Sequence, residues 1–343
     1  LVALGRDRGA AKAAFTYLVL GTIGGTFVLL AIGLIYQRTG TLNMLDIQSR
    51  LPAVLETRTI RAGFAFLSVG VGIKLAVFPL HQWLPNAYSR APSIVSAFLA
   101  ATATKVSYYV LVRIIFGLFG AVYVFETLGL GALLLPMSLA AMFVGSTAAI
   151  YQRDFKRLLA YSSIAQVGYM TLALVYASET GLTAGLVHLF NHALVKAALF
   201  LVAGCVMHTC SDTLISSMQG LGKRQPAVRA ALIVAGLALV GVPGTVGFVS
   251  KWMLVVGALE KGWTLVAVAI LLSSLLAIIY VWRIVEVVCF AVPPEGAKSV
   301  PLPWSMQLPM WLLTAATVFF GIYTDLTLGV ARTAAQALFG GTP

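Results

Sequence analysis

The sequence predicts an all-α membrane protein, a bundle of transmembrane helices, from three observations. Hydrophobic residues make up 60% of the 343 residues and charged residues only 10%, whereas a soluble domain has about 25% charged residues. Long apolar runs alternate with short polar stretches. Two of these runs contain prolines that would break a helix. We therefore predict that residues 1–343 form one multi-pass domain within the lipid bilayer of the cell (inner) membrane.

Eight or nine segments are long enough to cross a bilayer, at about 20 apolar residues per crossing. Breaks are expected near Pro79 and at the stretch Val242–Gly244, and we expect both to be buried in protein. Interrupted helices in two halves of a chain are typical of transporters built from repeats, so we expect inverted repeats. The segments are 13–36, 62–79, 92–116, 129–150, 161–177, 182–207, 228–256, 263–288 and 307–331.

The basic residues predict an orientation. A net charge of +12 is compatible with nucleic acid binding, but these residues lie in short loops or inside spans, not in one patch, so we expect no nucleic acid partner. Alternate loops on one side carry more Lys and Arg, which predicts that this side is cytoplasmic. The opposite side has a mixed-charge loop at 37–61. The cytoplasmic set includes Arg6, Arg90, Arg153, Lys156, Arg157, Lys223, Arg224 and Lys298.

Several other features limit the possible functions. The chain begins at Leu1 without a visible signal peptide, so we expect it to be incomplete at its N-terminus. Cys205, Cys210 and Cys289 lie in or beside apolar segments without a CxxC motif, which indicates packing residues. The sequence has no P-loop, no GxGxxG after a strand, no nucleophile elbow and no haem motif. We therefore expect no cofactor and no catalytic site in this chain.

Four lysines lie inside apolar segments where a charge is expensive: Lys74, Lys105, Lys196 and Lys251. A lysine at the bilayer centre costs about 2.5–3.5 kcal/mol. Each must therefore face protein or water, and we expect these lysines to carry protons. Snorkelling of the side chain to the headgroups is the alternative, chiefly for Lys251. A structural scaffold without an ion path would gain nothing from four such residues.

His188, His192 and Lys196 are spaced by four residues, which places them on one face of a helix. Neutral imidazole both accepts and donates protons, so this face predicts a proton relay. Structural hydrogen bonding by the histidines is the main alternative. Zinc binding is disfavoured because the HExxH motif and a third ligand are absent, and we expect no metal.

His81 follows Pro79 at the first predicted break. We expect it to contact the proton path between Lys74 and Lys105. His208 lies near a loop and receives no role.

Four stretches of the sequence resemble a known family. They contain the lysines, the histidine pair and the second break, and together they span most of the chain. The sequence resembles the antiporter-like family shared by the Mrp cation/proton antiporter and the membrane arm of respiratory complex I, with relatives in membrane-bound hydrogenases. The stretches are 73–87 followed by 91–93 and 104–106, then 154–169, 188–204 and 241–251.

The resemblance implies a fourteen-helix fold with two inverted five-helix repeats, broken helices seven and twelve, and a chain of buried charges along the membrane midplane. On that map this chain covers roughly helices six to fourteen. The family's helix-five glutamate, which pairs with the helix-seven lysine, would precede Leu1, and Lys74 is that lysine. Asn86 stands where the family often has Asp.

The resemblance also implies a proton-translocating subunit that assembles with other membrane subunits in a hetero-oligomeric complex. We favour the Mrp D-like branch, whose members belong to an antiporter that exchanges protons for a monovalent cation such as sodium. Lys251 stands where one complex I branch has Glu, and the histidine pair with Lys196 is absent from another branch. The alternative is a proton-pumping subunit of an NADH:quinone oxidoreductase or a membrane-bound hydrogenase, driven by electron transfer in other subunits.

Overall fold

The computed structural model describes residues 1–5, 8–294 and 300–340. Within these ranges the chain is a bundle of helices and contains no strand, so the predicted all-α fold is confirmed. Arg6 and Lys298, two of the residues used to orient the chain, lie outside the described ranges.

Fourteen α-helices are found in the described chain. Two π-helical segments, Arg113–Phe119 and Tyr123–Thr127, follow α5. The helices are α1 Arg8–Thr39, α2 Met44–Arg50, α3 Arg58–Leu75, α4 Trp83–Arg90, α5 Ser93–Val112, α6 Leu130–Ile150, α7 Phe155–Val175, α8 Glu179–Cys210, α9 Leu221–Arg224, α10 Pro226–Val240, α11 Val246–Glu260, α12 Thr264–Cys289, α13 Trp304–Ile322 and α14 Asp325–Gly340.

Seven helical segments of the described chain are long and apolar enough to cross a membrane, by length and composition. They are α1, α5 with the π-helical segment after it, α6, α7, α8, α12 and α13, and they correspond to seven of the predicted segments. The remaining predicted segments, 62–79 and 228–256, are the two in which breaks were expected. The second break divides 228–256 into α10 and α11, each of 15 residues. Helix α3 covers most of 62–79 without interruption, but its 18 residues include Arg58, Arg61 and Lys74, which makes it too polar to count as a span by composition.

Both predicted breaks are present. Helix α3 ends at Leu75, where Ala76 takes a left-handed conformation with φ 61°, and α4 begins seven residues after Ala76 at Trp83. Helix α10 ends at Val240 because Gly241 turns the backbone with φ 95°. The expectation that the breaks are buried in protein is not met in the described structure, where Pro79, Pro243 and Gly244 are exposed.

Two predicted segments differ from the structure at their ends. The segment 161–177 starts too late, because the Asp154 side chain accepts the backbone N–H of Arg157 and caps α7 at Phe155. Lys156, assigned from the sequence to a cytoplasmic loop, therefore lies in a helix and is buried. The segment 307–331 is two helices, since α13 ends at Ile322 and α14 begins at Asp325.

Helix α8 lies at the centre of the bundle. It packs against α5, α7, α10, α11, α13 and α14. Almost every residue of its neighbour α7 is buried, whereas α1 and α13 leave most of their apolar residues on the surface. Side chains on α8 and α7 are therefore shielded from lipid by the other helices, and α8 carries the predicted His188–His192–Lys196 face.

The crossing of α10 and α11 at the second break depends on Gly247. A Cβ atom there would stand 1.8 Å from the carbonyl oxygen of Ala238, so the backbone would have to move. We expect Gly247→Ala to lower the melting temperature of the purified protein, because overpacking costs about 1–3 kcal/mol. The control is Gly33→Ala in α1, where a Cβ meets open space and alanine favours the helix. Equal melting temperatures for the two variants would contradict this account.

Candidate functional site

Three of the four predicted lysines are buried in the bundle interior. Lys105 on α5, Lys196 on α8 and Lys251 on α11 expose 5%, 0% and 6% of their surface. None of them forms an ion pair with an acidic side chain in the described chain, whose two ion pairs are Arg50–Asp46 and Arg61–Glu56. Neutral oxygens must therefore hold these ammonium groups.

Lys196 is bound to the N-terminal half of α7. Its Nζ donates a hydrogen bond to the carbonyl oxygen of Leu159 at 2.9 Å and another to the hydroxyl of Ser162. The Ser162 hydroxyl donates in turn to the same Leu159 carbonyl at 2.9 Å. Lys196 is fully buried, so these hydrogen bonds satisfy its ammonium group.

Lys251 is bound to the end of α10. Its Nζ donates to the carbonyl oxygens of Leu239 at 3.2 Å and Val240 at 2.7 Å. The last carbonyls of a helix have no partner in the helix and carry the negative end of its dipole. The Tyr169 ring faces the same ammonium group at 5.2 Å, a favourable cation–π contact. The break after Val240 thus supplies acceptors to Lys251.

The two histidines connect the lysines. The His188 Nδ1 atom lies 2.9 Å from the Ser250 hydroxyl, next to Lys251 in α11. The rings of His188 and His192 are 6.2 Å apart. The Lys105 ammonium donates to the Ala100 carbonyl and to the Thr104 hydroxyl at 3.3 Å, on helix α5, which packs against α8. The structure therefore brings five predicted residues together. This central cluster comprises Lys105, His188, His192, Lys196 and Lys251.

A small cavity adjoins the central cluster. Several buried atoms beside it have no hydrogen-bond partner among the described residues, namely His188 Nε2, both ring nitrogens of His192 and Asn191 Oδ1. The cavity has a volume of about 10 Å³ and is lined by these three residues together with Gln166, Ser250 and Lys251, among others. That volume accommodates about one water molecule. Because an unsatisfied buried polar group costs about 1–3 kcal/mol, a water molecule here would stabilise the cluster.

Lys74 and His81 lie apart from the central cluster. Lys74, the penultimate residue of α3, is exposed at the surface of the described structure instead of being enclosed by protein. His81 stacks on Phe78 at 5.1 Å in the first break, and its Nδ1 atom is buried without a partner in the described chain. No hydrogen bond among the described residues joins either side chain to Lys105. The roles of Lys74 and His81 stay predictions.

Sequence reasoning missed the neutral partners of the cluster. Ser162, Ser250 and Tyr169 are polar residues inside apolar helices, and this signal could have indicated them. Asn191, which donates to the Val246 carbonyl at 2.6 Å, directly precedes His192. The carbonyl acceptors could not have been found in this way, because every residue has one and only the packing shows which is used.

The geometry can be compared with known proteins. The family model described as "NADH:quinone oxidoreductase/Mrp antiporter, TM" matches residues 1–277. The chain belongs to this family. The family resemblance inferred from the four sequence stretches is therefore confirmed, and the chain is a multi-pass protein of the cell (inner) membrane.

Individual relatives and solved structures are similar to this chain over most of its length. NADH-quinone oxidoreductase subunit N of Desulforudis audaxviator is 40% identical over 95% of this chain and 67% of its own length. Among solved structures, a chain of an archaeal membrane-bound sulfane sulfur reductase superposes with a TM-score of 0.89 at 30% identity, covering 99% of this chain and 68% of that one. A chain of the Mrp complex from Dietzia superposes with a TM-score of 0.88 at 26% identity, covering 98% and 70%.

The unsatisfied atoms around the small cavity generate a prediction. We expect a cryo-EM map that resolves solvent to show a water molecule hydrogen-bonded to Asn191 or His192, because protein atoms leave these groups without partners. The buried, apolar packing around Leu172 on α7 serves as the control region and should contain no water. A cavity closed by side chains, with the His192 nitrogens bonded directly to protein, would contradict this expectation.

Proposed function

We propose that this chain is the proton-translocating membrane subunit of a redox-driven complex of the NADH:quinone oxidoreductase type. The central cluster is the observation that carries the proposal, because five buried proton-binding groups lie together without an acidic partner among the described residues. Other membrane subunits would complete the complex, and electron transfer in partner subunits would drive the protons. Residues 1–343 would act as one domain that covers roughly helices six to fourteen of the family fold.

The redox branch is favoured over the Mrp D-like branch, which was preferred on the sequence alone. The relative that is 40% identical is named as a quinone oxidoreductase subunit, whereas the Mrp chain shares 26% identity. A respiratory membrane complex from an archaeon is also structurally similar, at 30% identity. Exchange of protons for a cation such as sodium is the second candidate function, and it is supported by the high structural similarity to the Mrp chain.

The chemistry follows from repulsion within the central cluster. Two unit charges about 6 Å apart, the separation of the His188 and His192 rings, repel by about 3 kcal/mol at an effective dielectric constant of about 20. A positive charge on every member of the cluster at once is therefore strongly disfavoured. Protonation of one member disfavours a proton on its neighbours, so a proton that enters at one end displaces another at the far end.

The neutral partners fit this role. Carbonyl and hydroxyl oxygens stabilise an ammonium group but also leave it free to lose its proton, whereas a carboxylate would hold the charge in place. Water in the adjacent cavity would bridge His192 and Lys251. We propose that protons pass along Lys105, the two histidines and Lys251, with Lys196 supplying them from the α7 side.

The proposed function can be tested by asking which energy source drives proton uptake. In inverted membrane vesicles that contain the complete complex, we expect proton uptake to begin when an electron donor is added, and not when a sodium gradient alone is imposed. Lys196→Met should abolish this uptake, because Lys196 is the member of the cluster that supplies protons from the α7 side. Lys261→Met is the control, since Lys261 is exposed at the end of α11.

The measurement is the quenching of a pH-sensitive dye, with the amount of assembled protein checked by immunoblot. Proton–sodium exchange without an electron donor would overturn the redox branch in favour of the Mrp type. Normal proton uptake by Lys196→Met would overturn the role of the cluster itself.

Lys74 allows a separate test of proton release. In the family pattern it is the lysine that pairs with the helix-five glutamate. We expect both Lys74→Ala and Lys74→Arg to abolish transport by the full-length protein in its complex. Arg keeps the positive charge but does not release a proton, because its pKa stays above ~12. The assay is again proton flux in vesicles at matched protein levels. Full transport by Lys74→Arg would show that Lys74 serves only as a fixed charge.

A further inference from the structure

A large cavity lies at one end of the bundle, away from the central cluster. Its volume is about 890 Å³, and it is enclosed by the ends of α4 and α8 and the starts of α5, α7 and α13. Charged and titratable side chains line its wall. This end carries the basic loops that the positive-inside rule assigns to the cytoplasm. The charged and titratable wall residues are Arg90, Asp154, Lys156, Arg157, His208 and Asp212.

Lys156 is a buried lysine in the wall of this cavity. Only 2% of its surface is exposed, and its Nζ donates a hydrogen bond to the carbonyl oxygen of Ala91, another wall residue. The Asp154 carboxylate forms no ion pair with Lys156 among the described residues. It accepts instead from the Thr213 hydroxyl at 2.5 Å and the Arg157 backbone N–H at 2.8 Å. Lys156 thus resembles the lysines of the central cluster, which are also held by neutral oxygens.

Helix α7 connects Lys156 to the central cluster. Leu159 lies three residues after Lys156, about one turn or ~4.5 Å along the helix axis, on the same side. Its carbonyl oxygen accepts the hydrogen bond of Lys196 at 2.9 Å. One turn of α7 therefore separates Lys156, in the cavity wall, from the carbonyl oxygen that binds Lys196.

The cavity has the properties of a water-filled space. The Arg157 Nε atom in its wall is buried and has no hydrogen-bond partner among the described residues. Such a group is ordinarily satisfied by water, and the volume greatly exceeds the ~10–15 Å³ that a cavity needs on this measure to hold one water molecule. Rotation of the Lys156 side chain away from Ala91 would bring its Nζ into this space.

We propose that this cavity is the cytoplasmic entrance for protons and that Lys156 passes them to Lys196. The inference rests on the proposed function and names the entry point of the same proton path. A hydronium ion in the cavity gives its proton to the neutral amine of Lys156 and becomes water. The ammonium group then releases that proton, through an intervening water molecule, to the neutral amine of Lys196, and Lys156 returns to the neutral form.

Two variants of Lys156 distinguish a proton-relay role from a purely structural hydrogen bond to Ala91. In inverted vesicles that contain the complete complex, we expect both Lys156→Met and Lys156→Arg to lower electron-donor-driven proton uptake at least tenfold at matched assembly. Arg can still bond the Ala91 carbonyl but does not release a proton. Lys223→Met, an exposed basic residue on the same side, should leave uptake unchanged. Wild-type uptake by Lys156→Arg would show that Lys156 only clamps Ala91 and would overturn the relay.

Thiol labelling tests the entrance without relying on transport. In a chain in which Cys205, Cys210 and Cys289 are replaced by Ser, we expect Lys156→Cys to react with a membrane-impermeant maleimide added from the cytoplasmic side. Ile164→Cys, buried on the same helix, should not react. No labelling of Lys156→Cys would overturn the entrance. If wild-type vesicles took up no protons, the proposed function would fail, while the labelling would still report on the cavity.

Discussion

The structure depends on the burial of lysine side chains without carboxylate partners. Each of the three buried lysines of the central cluster reaches a backbone carbonyl, and two of them also reach a hydroxyl. A single buried charge without compensation would cost several kcal/mol, comparable to the whole stability of a domain. The positions of α7, α8 and the second break are therefore set by the need to present acceptors at these lysines. Helices α1 and α13, which leave most of their apolar residues on the surface, lie on the outside of this bundle.

The breaks and the central helices have complementary roles. A regular helix uses its own carbonyls, so an additional acceptor is available mainly where a helix ends. Helix α10 ends at Val240 and gives its last carbonyls to Lys251. Helix α7 is continuous, and there the Leu159 carbonyl accepts from both Lys196 and Ser162. Lys251 is thus bound by the end of α10 at the second break. Lys196 is bound by the continuous helix α7, which is almost wholly buried.

Much of the fold could be predicted from the sequence because hydropathy and proline position are local properties. The spans and both breaks followed from them, and the four-residue spacing of His188, His192 and Lys196 placed these residues on one face. Lys156 was misassigned because the polar residues around it are typical of a loop, and only the Asp154 cap and the packing of α4 against α7 show that it is buried. The exposure of Lys74 likewise depends on tertiary packing. The motifs alone could not predict the branch of the family, because the branches share them, and the redox branch is favoured by identity to a relative over nearly the whole chain.

No carboxylate of the described residues pairs with the lysines of the central cluster, and this has a consequence for which ions can pass. A sodium ion that crosses a protein needs oxygen ligands and is repelled by neighbouring positive charge, whereas a proton travels as part of the lysine or histidine that binds it. Positively charged groups in a narrow passage repel hydrated cations. Within the described chain, the proposed proton path through Lys105, His192 and Lys251 would therefore be an electrostatic barrier to metal cations. A sodium ion, if the complete assembly moves one, would have to cross by a route that is physically separate from these residues.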